Sequence, residues 1–172
     1  ALVGGIAPLF FWFMGTFSNS ISRFLTIEIG KGNEESIRDV FSASFWLCMS
    51  FAIIVFTLFE TVGIWFITNK INIPTGREGA AMWCYQMSVI SILTYIMSIP
   101  YKATLTAHER FTFYAYTDLI TVLWILADVL MLPYIKGDKL IIYSGLFTLT
   151  NVVMVWVVIF YSYYSFKETT PR

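Results

Sequence analysis

Residues 15–32, GTFSNSISRFLTIEIGKG, decide the fold, because they place a permanent charge, Arg23, inside what otherwise reads as a membrane-spanning helix. The preceding residues, Leu2 to Met14, are apolar or small apart from Pro8. Together the two parts are long enough to cross about 30 Å of hydrocarbon. At helical spacing Thr16, Asn19, Ser20, Arg23 and Ile27 share one face, while Phe10, Phe13, Phe17 and Phe24 lie toward the other sides. A helix with such a stripe is not suited to lipid all round. The stripe is expected to face other helices or a water-filled cavity, with Arg23 as an anion contact there. The competing reading makes Arg23 an end-of-helix anchor that snorkels to the headgroups.

The rest of the chain has the same character. Of 172 residues 58% are hydrophobic and only 13% charged, against about 45–50% and 25% in an average soluble domain. An all-α integral membrane protein follows, a polytopic bundle over residues 1–166 with a polar tail at 167–172. Net charge is zero, with eleven residues of each sign, so nothing points to nucleic acid or to a polybasic surface anchor. Cys48 and Cys84 fall in separate apolar runs and read as small buried hydrophobes without a disulfide. His108, the one histidine, has no neighbouring cysteine or second histidine and argues against a zinc site; it reads as a solvated connection residue. The chain opens at Ala1 inside an apolar run, without an initiator Met or the charged start of a signal peptide, and is expected to begin midway through a gene product.

Periodicity and breakers divide the chain into about five spans, near residues 2–29, 40–68, 80–104, 111–132 and 140–161. Gly30 and Gly32 stop the first, and Asn33 is placed to cap the second, with Glu34 and Glu35 in its opening turn. Each later span carries few charges. Glu60 lies in the second beside Thr57 and Thr61. The third has a polar face of Ser88, Ser91, Tyr95, Ser98 and Lys102, with Pro100 expected to kink it. In the fourth, Tyr114, Asp118, Thr121, Ile125 and Asp128 share one side, the two carboxylates about 15 Å apart and so too far to share a proton. The fifth adds Ser144, Thr148 and Asn151. Counting Lys and Arg at alternate ends gives seven (Arg23, Lys31, Arg38, Lys102, Arg110, Lys167, Arg172) against four (Lys70, Arg77, Lys136, Lys139). Positive-inside bias therefore puts the first connection in the cytoplasm.

No nucleophile elbow, HExxH, phosphate-binding loop or paired-cysteine site is present, so catalysis is not supported. Ionisable groups within spans are functional candidates instead, since burying them unpaired costs several kcal/mol. Each also has a plainer reading: Glu60 as a near-interface group bonded to Thr57, Asp118 paired with Arg110 or Lys102 at the membrane edge, and Asp128 among outer headgroups.

Four segments carry a likeness to a known family: SRFLTIEIGKGNEESIRDVFSAS (22–44), FETVGIWFITNKINIP (59–74), IPYKATLTAHERFTFYAYTDL (99–119) and GDKLIIYSGLF (137–147). In order and spacing the chain resembles the N-terminal half of the bacterial polysaccharide repeat-unit flippases (Wzx-type), in the superfamily that also holds the multidrug and toxin extrusion transporters. The resemblance implies a protein of twelve to fourteen helices in two pseudo-symmetric bundles, of which this chain would supply about the second to the sixth. It implies residence in the bacterial inner membrane, alternating access, and a polyprenyl-diphosphate-linked oligosaccharide as substrate, with other polysaccharide-assembly proteins as partners. Within that frame the substrate contacts are Arg23, Asn19, Ser20, Thr16 and Lys102. Glu60, Asp118 and Asp128 are candidates for Na⁺ or H⁺ coupling, and no cofactor is called for. Two alternatives stay open: a cation-coupled multidrug exporter of the same superfamily, and a non-transporting membrane subunit of a glycan-assembly complex.

Overall fold

The computed structural model describes residues 2–70, 78–134, 137–166 and 169, and of residues 2–13, 67, 68 and 70 the backbone alone. All regular structure among them is helical: α1 (Leu2–Lys31), α2 (Glu34–Leu58), a π-turn (Phe59–Gly63), α3 (Ile64–Lys70), α4 (Glu78–Ala107), α5 (Phe111–Met131) and α6 (Lys139–Ser165). Four are long and apolar enough to cross a membrane: residues 34–66, taken through the π-turn, then α4, α5 and α6. The leading half of the first expected span, the connection at 71–77 with Pro74 and Arg77, and the cations Lys136, Lys167 and Arg172 lie outside the described side chains.

Local chemistry sets the helix ends. Gly32 takes φ 71°, which a glycine adopts without steric cost, and Asn33 then caps α2 by accepting hydrogen bonds from the N–H groups of Glu35 and Ser36 at 3.2 and 3.4 Å. Asp138 does the same for α6, accepting from Leu140 N–H at 3.1 Å. Pro100 does not end α4, which continues to Ala107; the Ser98 hydroxyl donates to the Tyr95 carbonyl and that of Thr104 to the Pro100 carbonyl.

The central element is α4, against which α1, α2, α5 and α6 all pack. Its second half is small and apolar on the inside, with Ile96, Ile99, Ala103 and Leu105 buried. Met14, Ile21 and Leu25 of α1 and Phe41, Cys48 and Ala52 of α2 belong to the same core. Phe41 meets Tyr101 edge-on at 5.4 Å. Outside this seam the surface is apolar: Trp46, Ile53, Leu123, Trp124, Leu130, Trp156 and Phe160 are each half or more exposed. Exposed apolar area on this scale is unfavourable in water and matches a lipid surround.

His108 lies in the connection between α4 and α5, as expected, and is partly exposed, with its ring stacked on Phe166 at 4.1 Å. Phe166 and Thr169 are buried, the Thr169 hydroxyl lying within hydrogen-bonding distance of the Ser162 and Phe166 carbonyls.

Candidate functional site

Two separate polar features emerge, one on the outside of the bundle and one within it. On α1 the stripe predicted from spacing is contiguous: Thr16, Asn19, Ser20, Arg23 and Ile27 are all exposed. Among the described residues it does not face the other helices. Met14, Ile21, Ser22 and Leu25 are buried instead, on the opposite side of the same helix. Apolar seams win the packing contacts because sealing the stripe into this core would strip water from Arg23 with no carboxylate to meet it. The Ser20 hydroxyl is spent on the Thr16 carbonyl at 3.0 Å. The exposed guanidinium, flanked by the Asn19 amide, remains the feature of this face suited to an anion.

The second feature is where the stripes of α4, α5 and α6 converge. Ser91, Tyr95 and Lys102 of α4, Thr117, Asp118 and Thr121 of α5, and Asn151 of α6 line one cavity of about 190 Å³, room for several waters. At its floor the Ser91 and Thr148 hydroxyls lie 3.1 Å apart, and both reach the Met87 carbonyl. The Lys102 ammonium sits between two aromatic faces, 5.2 Å from the centre of the Tyr95 ring and 5.5 Å from that of Tyr114, within the range of cation–π attraction. Asp118 acts electrostatically on Lys102, and the Tyr114 hydroxyl, one turn earlier on α5, donates a hydrogen bond to its carboxylate.

This geometry separates the predicted substrate contacts. The described residues of α1 take no part in lining the cavity, so Lys102 and Arg23 do not share a site. Lys102 instead has Asp118 and two ring faces about it.

The three coupling candidates are also dispersed. Asp118 borders the cavity. Asp128 is buried, 7% exposed, and accepts a hydrogen bond from the Thr150 hydroxyl at 2.9 Å, so it belongs to the α5–α6 interface. Glu60 lies in the π-turn, beside Tyr85. It is not tied to Thr57, whose hydroxyl donates to the Ile53 carbonyl at 2.9 Å. No cluster of three or more metal-ligating side chains occurs among the described residues.

Sequence reasoning missed Thr150 and Tyr85. Thr150 lies off the polar face traced by Ser144, Thr148 and Asn151, and a hydroxyl among Leu and Val gives no direction of its own. Tyr85 had a signal in its partner: Gly63, a lone glycine in an apolar helical run, marks a close approach by another group.

Comparison of the chain with family models, curated proteins and solved structures finds no match. What fold and site together define is a class: a helical chain with four helices long and apolar enough to span a bilayer, carrying a polar cavity inside and a cationic stripe outside.

Proposed function

We propose that the chain is part of a flippase that turns a lipid-diphosphate-linked oligosaccharide across the bacterial inner membrane for surface polysaccharide assembly. The observation that carries the reading is the exposed stripe of α1, Thr16, Asn19, Ser20 and Arg23, on a helix whose opposite side is sealed into an apolar core. A guanidinium held at bilayer depth costs about 2.5 to 3.5 kcal/mol on insertion scales, so a stripe of this kind calls for a wet hollow or a polar partner. In the full transporter a second bundle would face this stripe and close a cavity around it. Arg23 would grip the diphosphate through paired N–H donors, and the amide and hydroxyls beside it would line the sugar path. The likeness of segments 22–44, 59–74, 99–119 and 137–147 to the repeat-unit flippases supports the same reading.

Lys102 is not assigned to the diphosphate here. Beside its cavity the Thr148 hydroxyl, bonded to Ser91 and to the Met87 carbonyl, ties α6 to α4. A multidrug exporter fits less well, since the acidic and aromatic groups it would present to a cationic drug, Asp118, Tyr95 and Tyr114, are already engaged by Lys102.

The test is translocation of a fluorescent lipid-diphosphate oligosaccharide by the full-length protein in liposomes. Arg23→Ala is expected to slow it between tenfold and about a hundredfold, in keeping with about 1.5 to 3 kcal/mol for hydrogen bonds to a charged group. Arg23→Lys should retain part of the rate. Unchanged flipping by Arg23→Ala would remove Arg23 from the mechanism, and drug efflux that depends on Asp118 would establish the exporter.

A further inference from the structure

The second span is interrupted at Phe59–Gly63 by one turn of π-helix. In it the Ile64 N–H bonds back to the Phe59 carbonyl, five residues earlier, and also approaches that of Thr61, where regular α geometry would pair it with the residue four earlier. The Phe59 carbonyl also receives the Tyr85 hydroxyl of α4, at 2.6 Å. That hydroxyl occupies the space where a side chain at position 63 would begin: a methyl group on Gly63 would overlap it. The glycine therefore admits the tyrosine, and the tyrosine occupies the carbonyl that the widened turn presents. Glu60, half-buried, places its charge beside the same hydroxyl. Beyond the turn the helix continues as α3 for only seven residues.

We infer that Tyr85 and Gly63 form a latch that holds the second span one residue out of α register, and that withdrawal of Tyr85 lets the turn revert to α-helix. Removing a π-turn advances the downstream helix by about 1.5 Å and rotates it by about 100°. The short α3, directly downstream, is the part that turns, and it leads into the following connection. Because Tyr85 and Lys102 are both on α4, 17 residues or about 26 Å apart along the helix, movement of α4 at the cavity end reaches the latch through one rigid element. This device is independent of what the protein transports.

The latch is tested in the full-length protein in lipid nanodiscs, with spin labels placed singly at positions 64, 65, 66 and 69 and their accessibility to lipid-dissolved oxygen measured. In the unaltered protein Trp65 and Phe66, both about half exposed, mark the accessible side. Tyr85→Phe, which keeps the ring and removes the hydroxyl, is expected to shift the accessibility maximum by one residue, equivalent to about 100°. Gly63→Ala should give the same shift by expelling Tyr85, and adding it to Tyr85→Ala should give no further change. An unaltered phase in both Tyr85→Phe and Gly63→Ala, even with a lowered melting temperature, overturns the proposal. So does a Gly63→Ala effect that adds to that of Tyr85→Ala.

Discussion

Lys102 shows how a charged residue settles inside an apolar bundle. Burial penalises a lone ammonium, and two tyrosine faces at 5.2 and 5.5 Å and the field of Asp118 offset part of that cost. Such a group acts as a unit with its partners. Lys102→Met or Asp118→Asn alone should each lower the melting temperature of the purified protein, whereas the double variant should recover part of the loss, with a coupling of about 1 kcal/mol. Strict additivity of the two changes would mean that the pair does not interact. The sequence made this site legible in its parts: Ser91, Tyr95, Ser98 and Lys102, then Tyr114, Asp118 and Thr121, then Ser144, Thr148 and Asn151, each set falls at steps of three or four on its own helix. That the three sets meet could be read only from the packing of α4 against α5 and α6.

At the scale of elements, polar signals at helix ends were the most readable, because they act within a few residues. The Gly32–Asn33 junction is the clearest case, an αL glycine followed by a side-chain cap. Asn33→Ala is expected to cost about 1 kcal/mol and to raise amide exchange in the first turn of α2, at Glu35 and Ser36, leaving α4 unaffected; equal exchange in the two proteins would show the cap to be idle. What could not be read was which face of α1 packs inward. Its polar stripe was plain, but that Met14, Ile21 and Leu25 take the core against α2 and α4 depends on those helices offering no carboxylate to Arg23, which appears only once they are packed together. The π-turn was hidden for a different reason: FETVG has no intrinsic preference for the widened turn, and the hydroxyl that occupies its carbonyl comes from Tyr85, 26 residues beyond Phe59.

Over the whole molecule, α2, α5 and α6 expose Trp, Leu, Ile and Phe, a surface suited to lipid, and α1 turns a hydroxyl, amide and guanidinium stripe outward. The proposed role stands on water and substrate reaching that stripe in the assembled transporter. The direct measurement is labelling of Asn19→Cys and Ser20→Cys, which flank Arg23 and leave it in place, by a charged, membrane-impermeant methanethiosulfonate in the full-length protein. The account predicts that both positions react and that a polyprenyl diphosphate slows their labelling severalfold, while the protection disappears when Arg23→Ala is added. Reaction with a lipid-soluble maleimide alone, or labelling that the diphosphate leaves unchanged, would contradict it.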